Sequence, residues 1–419
     1  ASHLGNVLSL YMCLEPRKVC KAQEWITRLL LETVFTRDRV LCAVSNLLGN
    51  ITEWKRSGPE MCDSYSTLVT HPNHKSSNYV NISVFRQQPY LKRIFKELSG
   101  SGEGEGSSHV HNGDPHHNIP QVCKDLHEIL NYLTSSAHLV MVQTAASHQD
   151  FLDQLQCGVF STWDACHQRS PEAGSADNLF LAFAHESGSF PEDSHNVLLT
   201  IPGVESSFLM QGVQCAVQQT DEDYYPVLLL TELLSRTEGP LWEKIRGRGY
   251  AYGADIFFAP SWGHLWSSIH ESSSPAEALD LLHEILHHVD EYLNDFNIAA
   301  AKSSLFFRRC SQRATPSKLL SRLFQERILG IPADNHSRLF QVTKSDLSRV
   351  FQAYFSKFFE GSGRISIVVA NPTKQREVLE KFSGQHPDWR PAFGGVANFL
   401  ERDVDSLMIP FEREEPLAE

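Results

Sequence analysis

The chain is short of positive charge, of long apolar runs and of paired cysteines. Its 419 residues hold 37 Lys and Arg against 50 Asp and Glu, for a formal charge of −13. This excess of acid argues against a nucleic acid as partner, because a phosphate backbone attracts basic surfaces. No run of about 18 apolar residues occurs, so the sequence predicts no membrane span.

The nine cysteines also lack a pattern. No Cys-x-x-Cys occurs and their number is odd, which favours free, mostly buried thiols in a reducing compartment. We expect a cytoplasmic protein, with a mitochondrial location as the alternative. The first residue is not Met, and the opening twenty residues lack the basic segment of a signal peptide. We interpret the chain as part of a longer protein.

The length predicts two domains. Residues 166–177 are polar, contain Pro171 and Gly174, and show no periodicity. We therefore predict a partial first domain over 1–165, a linker over 166–192 and a second domain over 193–419. A Gly/Ser/Glu/His tract at 99–118 cannot bury a core and is interpreted as a surface insertion, not a metal site.

Apolar periodicity predicts helices and strands that occur in clusters, which favours an α+β fold over a doubly wound one. The predicted helices are 24–36, 37–48, 89–98, 120–135, 147–155, 223–235, 275–293, 295–311, 316–329, 345–358 and 372–382. The predicted strands are 138–144, 196–201, 206–219, 250–259, 263–270 and 364–369.

Residues 283–287 read His-Glu-Ile-Leu-His and match the zincin pattern. On a helix, His283 and His287 would lie one turn apart beside a general base, Glu284. No third ligand follows at the usual spacing, and Leu282 and Leu286 belong to an apolar seam that the two histidines flank. We interpret the motif as a chance match at the edge of a core, and an independent zincin as the least favoured alternative.

Residues 239–253, GPLWEKIRGRGYAYG, carry the most informative pattern. Arg246 should end a short helix, a glycine-rich turn should follow, and Tyr252 should open a strand. A guanidinium and a phenol aimed at one point suit a carbonyl or an oxyanion but cannot hydrolyse a bond alone. The plainer alternatives are a helix-terminal cation for Arg246 and a strand aromatic for Tyr252, with Tyr250 as the rival phenol. No Gly-x-Ser-x-Gly or Walker motif completes a catalytic set.

At 239–253 the chain resembles the pitrilysin-like (inverzincin) metallopeptidases, the family of insulin-degrading enzyme and the presequence protease. The order of helix 225–234, Gly-Pro-Leu-Trp-Glu-Lys-Ile-Arg and Gly-x-Gly-Tyr-Ala-Tyr-Gly is similar to that of the family's fourth domain. A diffuse similarity covers 197–382. A weaker echo lies at residues 55–58, Lys-Arg-Ser-Gly, with Met61.

The resemblance implies two homologous domains, the first incomplete. Each would be an antiparallel-rich sheet packed against helices, and together they would form half of a clamshell that encloses a peptide. The family's amino-terminal half holds zinc in a His-x-x-Glu-His motif, which this chain lacks. Zinc is therefore implied for that missing half and no metal ligand for this chain. Arg246 and Tyr252 would bind the substrate carbonyl and stabilise the oxyanion. The alternative is a catalytically silent structural or assembly subunit.

Overall fold

The computed structural model describes residues 15, 18–71, 78–100, 120–135, 189–327, 332–359, 363–393, 396 and 399–409. Its α-helices are Val19–Leu31, Arg37–Trp54, Gly58–Thr70, Asn78–Asn81, Val84–Gly100, Gln121–Ser135, Tyr224–Ser235, Pro275–His287, Asp295–Ser311, Pro316–Arg327, His336–Gln341, Lys344–Val350 and Gln375–Phe382. Its strands are β1 (His195–Thr200), β2 (Ser207–Gln214), β3 (Ala251–Ala259), β4 (His264–Ser272), β5 (Ile365–Ala370) and β6 (Leu400–Asp403). Two π-helical turns, Trp242–Arg246 and Phe351–Phe355, complete the main elements.

The six strands form one sheet in the order β3-β4-β2-β5-β1-β6. Strands β3, β4, β2 and β5 pair antiparallel, and β1 lies parallel to both β5 and β6. The α+β class and the antiparallel-rich sheet are thus confirmed. β5 is buried along its whole length, as expected for a strand covered on both faces.

One face of the sheet packs against helices from the second half of the chain. Leu198 of β1 and Val368 of β5 point to this side. The apolar residues that they meet come mainly from helices Tyr224–Ser235, Pro275–His287 and Asp295–Ser311. This core lies directly beneath the 239–253 segment, since Leu241 and Ile245 belong to it and are fully buried.

The other face packs against helices from the first 135 residues. Alternate residues of β5, Ile367 and Val369, meet side chains of Arg37–Trp54, Gly58–Thr70 and Val84–Gly100. Helix Gly58–Thr70 approaches the sheet so closely that a Cβ on Gly58 would lie 2.0 Å from the ring of Phe208. The two parts of the chain therefore pack on opposite faces of one sheet, each with its own apolar core.

The sequence analysis missed helices Gly58–Thr70, Asn78–Asn81 and His336–Gln341 and strand β6, and two of these have a clear physical reason. Helix Gly58–Thr70 buries several Ser and Thr, whose hydroxyls donate to carbonyls of their own helix, as Thr70 does to Ser66 at 2.8 Å. It therefore shows no apolar stripe. All four residues of β6 are exposed, so that strand shows no alternation.

Several predicted elements differ in extent. The predicted strand 206–219 ends at Gln214, and the predicted helix 275–293 ends at His287 before a single turn, Val289–Glu291. The strand 138–144, the helix 147–155, residues 166–188 of the linker and almost all of the tract 99–118 lie outside the described residues. The domain boundaries stay a prediction.

In the part of the chain that the structure describes, no helix is both long and apolar enough to cross a membrane. Cys42, Cys62, Cys123, Cys215 and Cys310 are free, and Cys62, Cys123 and Cys215 are buried. Burial raises the pKa of the Cys215 thiol to about 12, so this residue is an inert core thiol.

Candidate functional site

Glycines shape the turn that joins the π-helical turn Trp242–Arg246 to β3. The amide of Gly247 donates to the carbonyl oxygen of Trp242 at 3.1 Å. A Cβ on Gly247 would lie 2.1 Å from the carbonyl oxygen of Glu243, and Gly249 has a φ of +79°. Both positions therefore require glycine, which explains the Arg-Gly-Arg-Gly run of the sequence.

The structure brings Arg246 and Tyr252 together. The Cζ of Arg246 lies 4.6 Å from the centroid of the Tyr252 ring and 5.8 Å from that of Trp242. Both distances are those of cation–π contacts. Arg246 is exposed, and Tyr252 is 62% exposed. A cationic donor and a phenol thus stand side by side at the surface.

Tyr250 occupies a different environment from its rival Tyr252. It is half-buried and packs against the core beneath the sheet. Its amide donates to the carbonyl oxygen of Ile245 at 3.2 Å, and its carbonyl oxygen accepts from the Ser272 hydroxyl at 2.7 Å. Tyr250 anchors the turn, whereas Tyr252 is presented to solvent.

A second cation of the segment is committed to the neighbouring helix. Lys244 hydrogen-bonds to Tyr292, which raises the pKa of its ammonium group. Its Nζ also lies 3.8 Å from a carboxylate oxygen of Glu284. Lys244 therefore ties the π-helical turn to helix Pro275–His287.

A cavity of about 610 Å³ lies between edge strand β3 and helices Tyr224–Ser235 and Asp295–Ser311. On its wall, buried Glu232 accepts a hydrogen bond from Ser304 at 2.6 Å and pairs with Arg308. The Ser235 hydroxyl bonds to both backbone groups of Ile256. The Ser235 contact thereby covers the outer edge of β3 at Ile256.

Ser268, His270 and Asp255 form a cluster that the sequence analysis missed. Ser268 Oγ lies 3.0 Å and Asp255 Oδ2 lies 3.3 Å from the same atom, Nε2 of His270. A serine-hydrolase relay needs the serine and the carboxylate on opposite ring nitrogens, so this is not such a relay. Only the pairing of Asp255 with Ser268 across β3 and β4 brings the three together, and the sequence does not reveal that register.

His283 of the zincin-like motif lies in the core. Its Nε2 lies 3.0 Å from Oε1 of Gln211, whose Nε2 donates to Ser366 at 3.1 Å. Burial, reinforced by the positive charge of Arg364, lowers the pKa of His283 to about 3. The prediction that His283 flanks the core was wrong, because the polar groups of β2 and β5 give it a partner inside.

The other two motif residues point elsewhere. His287 is exposed, with its ring centroid 5.8 Å from that of Phe359. Glu284 faces Lys244. These residues do not fit zinc, because His283 is buried in the core while His287 is exposed, and Glu284 faces Lys244. Among all described residues, no group of three or more His, Cys, Asp or Glu side chains could hold a metal ion.

Residues 124–305 match the family model described as Peptidase M16 inactive domain. An uncharacterized protein of Caenorhabditis elegans is 26% identical over 225 residues, which cover 52% of this chain and 21% of that protein. An uncharacterized protein of Saccharomyces cerevisiae is 24% identical over 381 residues, which cover 86% of this chain and 34% of that protein. The chain spans about a fifth to a third of the length of the relatives that it matches.

Two solved structures share the fold. The peptidase M16 inactive domain from Pseudomonas fluorescens has a TM-score of 0.51 at 13% identity, with 84% of this chain and 74% of that chain covered. A conserved protein from Enterococcus faecalis has a TM-score of 0.54 at 11% identity, with 87% and 76% covered. At these identities the similarity is one of fold.

Proposed function

We propose, on the premise that this chain is a pitrilysin-like protein with the fold of M16 inactive domains, that it acts as the carboxyl-terminal half of a zinc metalloendopeptidase. Its part would be to bind the carbonyl of a peptide substrate and to stabilise the oxyanion. The amino-terminal half of the same protein would be its partner and would hold the zinc.

The pairing of Arg246 with Tyr252 carries this proposal. A guanidinium supplies permanently charged donors in a fixed fork, and a phenol supplies a neutral one. Within the described residues, neither side chain is engaged in a hydrogen bond or an ion pair, and both are exposed, so their donors are open to a ligand. Donors held in advance where negative charge develops each contribute about a hundredfold to a thousandfold in kcat.

The family's chemistry gives this pair a role that the chain's other surface groups lack. The Ser268, His270 and Asp255 cluster is not arranged as a relay, and His283 is buried. The proposal therefore assigns no bond-breaking step to this chain. Arg246 and Tyr252 would orient the substrate and bear the charge of the tetrahedral oxygen.

The proposal is tested by assembling this chain with its amino-terminal half and measuring peptide hydrolysis. Arg246→Ala and Tyr252→Phe should each lower kcat/KM by about 10-fold to 1000-fold, with the zinc content of the assembly unchanged. Tyr250→Phe is the matched control and should keep full activity, because that ring packs in the core. Full activity of both Arg246→Ala and Tyr252→Phe would overturn the proposal.

A second candidate is a catalytically silent structural or assembly subunit. The description of the matched family as an inactive domain favours it. A silent subunit predicts that the assembly of full-length protein hydrolyses no peptide. It also predicts that the Arg246→Ala/Tyr252→Phe double variant assembles and functions like the unaltered protein.

A further inference from the structure

We propose that Trp242 is a positioning residue for Arg246, whose guanidinium it holds in the orientation needed to donate to the substrate carbonyl. This inference rests on the function proposed above. It concerns a residue four positions before Arg246, on the same π-helical turn.

The packing of the π-helical turn places the indole of Trp242 at the surface. Leu241 and Ile245 of the same segment belong to the core and are fully buried, while Trp242 is 38% exposed. The apolar faces of an indole on a surface turn stay exposed to water unless another side chain packs on them. Its partner is the guanidinium of Arg246, whose Cζ lies 5.8 Å from the ring centroid.

Arg246 is held differently from its neighbouring cations. Lys244 is held by Tyr292 and Glu284, and Arg236 donates to Asn297 at 3.1 Å. Arg246, by contrast, has its guanidinium over the rings of Trp242 and Tyr252. An aromatic ring attracts a cation through its π face. It does not accept a hydrogen bond of ordinary strength from the N–H groups at the edge of the guanidinium.

This arrangement has a chemical consequence. Two rings restrict a long side chain that otherwise has about 2 kcal/mol of rotamer entropy, yet leave its hydrogen-bond donors available for a ligand. A carboxylate would restrict it equally but would also neutralise it and occupy its donors. Trp242 thus preorganises the cation without competing for the substrate oxygen.

The first test needs this chain alone. In protein labelled with ¹⁵N-arginine, the Nε–H signal of Arg246, identified by its loss in Arg246→Gln, should shift in Trp242→Leu because the ring current is removed. In Trp242→Phe the signal should move less than in Trp242→Leu, because an aromatic ring is still present. Trp25→Leu is the matched control, since Trp25 is also exposed, at 60%, and belongs to helix Val19–Leu31. An unmoved Arg246 signal in Trp242→Leu, with an otherwise unchanged spectrum, overturns the inference.

The second test uses the assembly with the amino-terminal half. Trp242→Leu should lower kcat by about 2-fold to 30-fold with a smaller change in KM, and Trp242→Phe should restore most of it. In the Arg246→Gln background, Trp242→Leu should cause no additional loss, because the residue acts through Arg246.

The outcomes separate the two proposals. If Arg246→Gln keeps full activity, the proposed function fails, and the Nε–H shift still decides whether Trp242 positions the guanidinium. If Arg246→Gln lowers kcat but Trp242→Leu does not, Trp242 is only a surface aromatic and the inference is wrong.

Discussion

The hydroxyl of Ser235 satisfies both backbone groups of Ile256. It accepts from the Ile256 amide at 2.7 Å and donates to the Ile256 carbonyl oxygen at 3.0 Å. Ile256 lies in the middle of edge strand β3, and Ser235 is the last residue of helix Tyr224–Ser235. One side chain thereby covers the outer edge of the sheet where another strand could otherwise pair.

Ser235→Ala should destabilise the protein by about 1–3 kcal/mol, because the amide and the carbonyl of Ile256 both lose their partner. Urea unfolding at neutral pH measures the change. Ser303→Ala, at an exposed serine of helix Asp295–Ser311, is the control and should change stability little. An equal loss in both variants would show that the edge contact contributes nothing.

Acid should weaken the fold through His283. Burial lowers its pKa to about 3 in the folded chain from the ordinary value of 6.5, so the folded state binds fewer protons than the unfolded state between these values. Stability should therefore fall as pH drops below about 6.5 and go on falling towards pH 3.

The double variant His283→Leu/Gln211→Leu removes both the titrating ring and its partner, so its urea midpoint should vary less with pH between about 7 and 5. His288→Gln is the control at an exposed histidine and should leave the pH dependence as it was. An unaltered pH dependence in the double variant would exclude His283 as its source.

Gly247→Ala should distort the turn that carries Arg246. Its Cβ would meet the backbone carbonyl oxygen of Glu243 at 2.1 Å, and we expect a loss of about 1–3 kcal/mol with a shifted Arg246 Nε–H signal. Gly49→Ala is the matched control, because a Cβ there meets nothing within 4 Å inside helix Arg37–Trp54. That variant should be neutral or slightly stabilising. A stable Gly247→Ala protein with the original signal would contradict the geometry described above.

The His283–His287 motif should not bind zinc. Elemental analysis of the purified chain is expected to give less than one zinc per molecule, and His283→Ala should leave that value unchanged. The reason is that His283 lies inside the core, where its Nε2 contacts Gln211, whereas His287 is exposed. Stoichiometric zinc that disappears in His283→Ala would restore the zincin interpretation.

The candidate site could be located from sequence because its information is local. The glycines at 247 and 249 mark a turn that only they permit, and that turn sets the distance between Arg246 and Tyr252. The choice between Tyr250 and Tyr252 was harder. Both have the same residue type and the same strand parity, and only the core beneath the turn distinguishes a packed ring from an exposed one.

His283 shows the limit of helical periodicity. Its position beside the apolar seam predicted a boundary residue, since periodicity describes one helix and not what faces it. The amide of Gln211, on β2, converts that position into a buried polar pair. The cluster of Ser268, His270 and Asp255 escaped notice for a similar reason, because it depends on the register of β3 against β4.

Residue spacing along the chain was thus enough for the α+β class, most helices, the glycine turn and the candidate pair Arg246 and Tyr252, since each depends on contacts within a few residues. Packing between distant segments settled the sheet order, the docking of the first 135 residues on the second face of the sheet, the burial of His283 and the contact of Trp242 with Arg246. The physical reason is that burial and ring orientation depend on which surfaces meet, and segments far apart in the chain supply those surfaces.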